Sequence, residues 1–180
     1  MYKRMWIFVE GKNDREFANV VLLPVLRRKY DFIDTWQYAG EPPKKVADFL
    51  RGMRSAGADG LFLADLDDSP CVTAKKGVLL ERFRKALEPS DVVVVVKEIE
   101  SWYLAGADED VCRGLGITSS LRTDNVTKEQ FRGMIPDRFK GSVADFMAEI
   151  LRGFSVETAR AKNLSFRYLV DKLEGRSEED

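Results

Sequence analysis

Three uninterrupted apolar runs and one alternating run stand out in the first hundred residues. Met5-Trp6-Ile7-Phe8-Val9, Leu61-Phe62-Leu63-Ala64 and Val92-Val93-Val94-Val95-Val96 are continuous, the pattern of strands covered on both faces. The valine run is β-branched throughout and marks a central strand. Thr35-Trp36-Gln37-Tyr38-Ala39 alternates in polarity and suits a less buried strand. Between these runs the period changes to that of helices. Asn13 with Glu16 has the form of a capping box. Phe17, Val20, Val21 and Pro24 then share one helical face, with Pro24 marking a kink or an end. Pro42-Pro43 opens a second helix, whose core face is Val46, Phe49, Leu50 and Met53 and whose stop is Gly57. A third helix, over roughly 74–87, buries Leu79, Phe83 and Leu87 and ends at Pro89.

The order β-α-β-α-β-α-β predicts a mostly parallel four-stranded sheet flanked by helices. From Glu98 onward the pattern is helical. One helix is expected from Glu98 to Ala105 and others near 127–134, 142–153 and 157–173, with apolar stripes at Phe146, Ile150 and Phe154 and at Phe166, Leu169 and Leu173. The expected organisation is an α/β core over 1–105 and a helical extension over 106–180 packed on it. The polar tail from Glu174 to Asp180 is expected to fray.

Composition narrows the chemistry. The chain has 180 residues, 44% of them hydrophobic and 33% charged, as in ordinary globular domains. No apolar run approaches the ~20 residues that cross a bilayer, and no signal-peptide pattern precedes the first strand. Cys71 and Cys112 are too few for a disulfide framework, so a reducing cytoplasm is expected. The sequence contains no histidine. That excludes Ser-His-Asp and Cys-His catalysis, His-ligated zinc and His general bases. The net charge of -1 gives the whole molecule no strong pull on nucleic acid.

Acidic residues end the predicted strands. Glu10 follows the first, Asp65 and Asp67 the third, and Glu98 and Glu100 the fourth; Asp14 lies one helical turn beyond Glu10. Ligands of parallel α/β sheets bind beyond the carboxyl ends of the strands. Clustered carboxylates repel one another unless a cation sits among them, and hard oxygen donors without His or Cys favour Mg²⁺ or Mn²⁺. Asp14 is equally explained by the helix dipole, and Asp68 by the Asp68-Ser69-Pro70 loop. Of the pair at the fourth strand, Glu100 is the better ligand candidate. Lys12 either contacts phosphate or is simply solvated. Lys97 is a second candidate for phosphate or nucleic-acid contact.

These residues resemble the Toprim domain family. Its Glu-Gly turn after the first strand stands here as Val9-Glu10-Gly11-Lys12-Asn13-Asp14, and its Asp-x-Asp motif as Asp65-Leu66-Asp67. Val96-Lys97-Glu98-Ile99-Glu100-Ser101-Trp102-Tyr103-Leu104-Ala105 is similar to a segment of small stand-alone prokaryotic Toprim-like proteins related to OLD-family nucleases, and Ser165-Phe166-Arg167 fits that group more weakly. The resemblance implies a Toprim-like, Rossmann-like fold with Mg²⁺ held by Glu10, Asp65 and Asp67, which would also be the catalytic acids. A two-metal arrangement would recruit Asp14 and Glu100, and Glu10 would take the general acid or base position. The implied activity is a nuclease of DNA repair or phage defence. No Gly-x-x-x-x-Gly-Lys-Ser/Thr motif is present, so an ATPase partner would be a separate chain.

Three functions compete. A metal-dependent phosphodiesterase would bind nucleic acid through the helical part, where Val126 to Lys172 has nine basic residues against six acidic ones; a solvated face explains that surplus equally well. A haloacid-dehalogenase-like phosphatase would use Asp65 as nucleophile, although that motif normally closes the first strand. A non-catalytic module would bind metal or a partner without cleaving anything.

Overall fold

A computed structural model describes residues 2–120 and 122–175. The tail after Gly175, where fraying is expected, lies outside the described residues. The chain divides into two compact units, Met1–Val94 and Val95–Asp180.

The first unit is a four-stranded parallel sheet flanked by helices. Its strands are β1 (Arg4–Val9), β2 (Phe32–Gln37), β3 (Asp59–Asp65) and β4 (Val92–Val95), in the spatial order β2-β1-β3-β4. Together with the helices that follow, this is the α/β class expected from the residue pattern. Met5 of β1 pairs with Ile33 of β2 and with Asp59 of β3. Side chains alternate across the sheet. Phe8, Phe62, Val92 and Val94 therefore share one face, where they pack with α3 (Pro43–Ser55) and α4 (Val72–Arg82) through Val46, Leu50, Met53 and Leu79.

The helical stretch after β1 departs from the simple periodic reading. It runs as α1 (Lys12–Phe17), a π-turn segment (Ala18–Leu22) and α2 (Leu23–Leu26). Pro24 has no N–H and would clash with the carbonyl four residues back. The wider π-turn accommodates it, with Leu23 N–H donating to Ala18 O. One extra residue per turn rotates the following positions. Val20 is consequently 46% exposed, and Ala18, Leu22 and Leu26 join Phe17 and Val21 in the core. The helix start also differs. Gly11 is the N-cap, and Asp14, not Glu16, reaches back to the backbone N–H of Gly11 at 3.1 Å. Helix α4 ends at Arg82, before the expected limit, because Arg84 and Lys85 take left-handed conformations.

The second unit contains α5 (Glu100–Gly106), α6 (Glu109–Leu115), α7 (Lys128–Gly133), α8 (Val143–Arg152), α9 (Val156–Lys162) and α10 (Leu164–Glu174). Helix α6 has no counterpart among the sequence expectations, although Asp108 caps its start and left-handed Gly116 its end. The single helix expected over 157–173 is two. Asn163 takes an extended conformation between them and its Oδ1 accepts from Phe166 N–H at 3.0 Å, starting α10. Its amide also donates to Thr123 Oγ1 at 3.2 Å, and Ser165 Oγ donates to its Oδ1 at 2.8 Å. The same Ser165 hydroxyl accepts from Trp102 Nε1 at 2.8 Å and from Val96 N–H at 3.3 Å. Among the described residues, no helix is long and apolar enough to cross a membrane.

Asn163→Ala removes an N-cap worth ~1 kcal/mol and leaves buried partners unsatisfied at ~1–3 kcal/mol. A loss of about 2–3 kcal/mol in urea unfolding is the expected outcome. A change under ~0.5 kcal/mol, the size of ordinary surface substitutions, would contradict it.

Candidate functional site

The chain leaves β1 for β2 on one side and returns to β3 on the other. Crossover direction therefore reverses between β1 and β3, and there the carboxyl edge of a parallel sheet opens a crevice. Glu10 directly follows β1, Asp65 closes β3, and Tyr38 directly follows β2. The structure brings these three together.

The Tyr38 hydroxyl lies 2.8 Å from Glu10 Oε1 and 3.1 Å from Leu63 O. It has one proton, and the carboxylate is the stronger acceptor. Its ring stacks on Phe62 with centroids 4.2 Å apart, so the phenol is held rigidly and is 2% exposed. Glu10 also accepts from the backbone N–H of Asp65. Burial pushes the Glu10 carboxyl above the usual carboxylate range; the Tyr38 hydrogen bond and the Lys75 charge oppose this, and Asp67 adds to it. Burial likewise raises the Tyr38 phenol well above its ordinary value, reinforced by Glu10 and then by the charges of Asp14 and Asp65. Tyr38 is thus a permanent donor among three carboxylates.

Asp14 is 5% exposed, and its bond to Gly11 N–H satisfies the helix start. A Cβ at position 11 would stand 3.2 Å from Asp14 Oδ2. A side chain at this turn would therefore press on the Asp14 carboxylate.

Asp67 takes a left-handed conformation at φ 48° in the loop after β3, which a short polar side chain tolerates. Its carboxylate is ion-paired with Lys75, in the early part of α4. Lys75 is only 8% exposed. Neither Lys75 nor Tyr38 emerges from a search for acids. Each carries a signal nonetheless: Lys75 precedes Leu79 by four residues on a core-facing stripe, and Tyr38 ends a strand at the level of Glu10 and Asp65. The segment Leu63 to Ser69 spans the end of β3 and the loop after it.

The other candidates stand on other elements. Lys12 is exposed at the first position of α1. Lys97, with φ 65°, belongs to the second unit. So do Glu98, whose carboxylate accepts the backbone N–H of Lys128 at the start of α7, and Glu100, 4% exposed in the first turn of α5. The structure therefore gives Glu98 a capping role.

Glu10, Asp65 and Asp67 offer only hard oxygen donors at adjacent strand ends, a donor set that fits Mg²⁺ or Mn²⁺ by chemistry. Among the described residues, no three Asp, Glu or Cys side chains form a group arranged to hold a metal ion. Glu10 is turned to Tyr38 and Asp67 to Lys75.

No family model matches the chain, and no curated protein matches it. Among solved structures it is similar to the C-terminal region of the OLD protein of Xanthomonas campestris pv. campestris, with 15% identity, 97% of this chain and 96% of that one covered, and a TM-score of 0.42. Identity and overlap of this size carry no argument about activity.

The raised Glu10 pKa has a consequence for stability. The folded state holds this proton more tightly than the unfolded chain, so stability is lost as pH rises from the ordinary 4.5 through the raised value, and the loss is complete above it. In metal-free buffer at pH 7, Glu10→Gln should melt higher than the wild type, by about 2–4 °C for each kcal/mol relieved. The gap should close as pH falls below the ordinary Glu range. Identical melting curves at both pH values would refute the burial argument.

Proposed function

We propose that the protein is a Mg²⁺- or Mn²⁺-dependent phosphodiesterase acting on nucleic acid, with Glu10, Asp65 and Asp67 as its metal-binding and catalytic acids. The observation that supports this is the meeting of Glu10 and Asp65 at the crevice where the crossover direction reverses, around the buried Tyr38 phenol. Asp14 and Glu100 are further candidate ligands. A divalent ion bound there supplies neutralisation of phosphate charge and a more acidic water.

The chain's own residues set the geometry. The Tyr38 hydroxyl and the Asp65 N–H fix the direction of the Glu10 carboxylate, which makes Glu10 the group suited to hold a proton in transit. Lys12 at the exposed start of α1 and Lys97 would contact phosphate. A nucleic-acid substrate and a separate ATPase partner in repair or phage defence complete the proposal.

A second reading is favoured by one observation. The Lys75–Asp67 ion pair already balances part of the carboxylate charge from within the protein, which suits a module that cleaves nothing.

Plasmid, single-stranded DNA and RNA incubated with Mg²⁺ or Mn²⁺ separate the two. The enzyme reading expects cleavage by the wild type and a fall of about 100-fold or more in Glu10→Gln and Asp65→Asn, since each tenfold step is ~1.4 kcal/mol of lost stabilisation. Equal rates in all three proteins would overturn the site assignment. Metal binding by calorimetry with no cleavage would select the module.

A further inference from the structure

Lysine is among the residues least often buried, and an unpaired buried ammonium is costly. Lys75 nevertheless has a side chain only 10% exposed, ion-paired with Asp67, whose side chain is 55% exposed. Its charge also acts on Glu10. Helix preference does not explain this placement. Lys75 lies near the amino end of α4 (Val72–Arg82), whose first turn has no acidic residue and whose N-cap makes no side-chain hydrogen bond. A cation near that end opposes the helix dipole. The carboxylates are what favour it there.

We propose that Lys75 is a built-in counter-cation of the carboxylate site, and that a divalent metal ion binds by displacing its ammonium from Asp67. This rests on the metal-binding reading above. Asp67 is held in a tight turn, with Ser69 N–H donating to Leu66 O at 3.1 Å, and its Oδ2 faces the Lys75 ammonium. Two positive charges against the same carboxylates repel, so each weakens the hold of the other. The ion pair makes metal affinity a competition set by a single residue.

The test is Mn²⁺ binding, followed through the paramagnetic resonance of free Mn²⁺, in the wild type, Lys75→Met, Lys75→Arg and Glu10→Gln. The proposal expects Lys75→Met to bind Mn²⁺ about tenfold or more tighter than the wild type, from the charge removed. Lys75→Arg, which keeps the charge, should stay close to the wild type, and Glu10→Gln should bind more weakly. Binding by Lys75→Met but not by the wild type would support the proposal more strongly still. Wild-type binding with equal or weaker binding by a folded Lys75→Met would overturn it and leave the metal reading intact. No binding by any of the four proteins would overturn the metal reading, and this proposal with it.

A second measurement needs no substitution. Acetylation of wild-type lysines, read by mass spectrometry, should rise several-fold at Lys75 when Mn²⁺ is added, with the exposed Lys140 as an unchanged reference. Unchanged labelling of Lys75 in protein that binds Mn²⁺ would overturn the displacement.

Discussion

Burial of the Glu10 carboxylate at the end of β1 is the constraint around which the first unit is arranged. A carboxylate withdrawn from water needs donors or a cation close by. Three are supplied, and each comes from a different element: the Tyr38 hydroxyl from the end of β2, the Asp65 N–H from the end of β3, and the Lys75 charge from α4. The strand order puts the first two beside Glu10, because β1 lies between β2 and β3. The aromatic packing of the sheet face then fixes the phenol. Phe8 stacks on Phe62, and Phe62 on Tyr38. The hydrophobic core and the polar site are therefore one structure, with the Tyr38 ring on one side and its hydroxyl on the other.

The strands were legible in the sequence because both faces of a parallel sheet are covered, which leaves runs with no polar interruption at Met5–Val9 and Val92–Val96. Helix existence was legible for the same kind of reason, but helix interruptions were not. The π-turn at Ala18–Leu22 depends on how the chain absorbs Pro24, and a fixed 3.6-residue period misassigns Val20 as a result. The break at Asn163 depends on partners far along the chain, Thr123 and Ser101 among them. No local pattern distinguishes such an asparagine from one on a helix surface.

The same contrast runs through the candidate site. Glu10, Asp65 and Asp67 are conspicuous because each interrupts or follows an apolar run. Tyr38 and Lys75 are not, because an aromatic ring at a strand end and a lysine on a helix look ordinary until their burial is known. Yet these two decide the state of the acids. Tyr38 orients Glu10, and Lys75 occupies Asp67. The negative charges are visible in the residue pattern, and the groups that compensate them become visible only through their burial.

The resemblance to Toprim-like proteins has two parts with different physical content. Trp102 and Ser165, from the Glu-Ser-Trp and Ser-Phe-Arg segments, are joined by a hydrogen bond in the core of the second unit, and Trp102 and Phe166 pack with ring centroids 5.4 Å apart. Ser101 and Asn163 extend the same buried network, and Glu98 caps α7. A buried network of this kind specifies one packing because each partner left alone would be costly. These segments therefore bear on how the second unit holds together, Glu100 remaining the one acid there with a candidate ligand role. The Glu-Gly turn and the Asp-x-Asp motif differ in kind. Asp67 adopts a left-handed backbone and pairs with a buried lysine, and Glu10 ionises against the resistance of its own burial. Neither arrangement serves packing. The unfavourable electrostatics of the first unit gather at Glu10, and Tyr38 and Lys75 are what offset them.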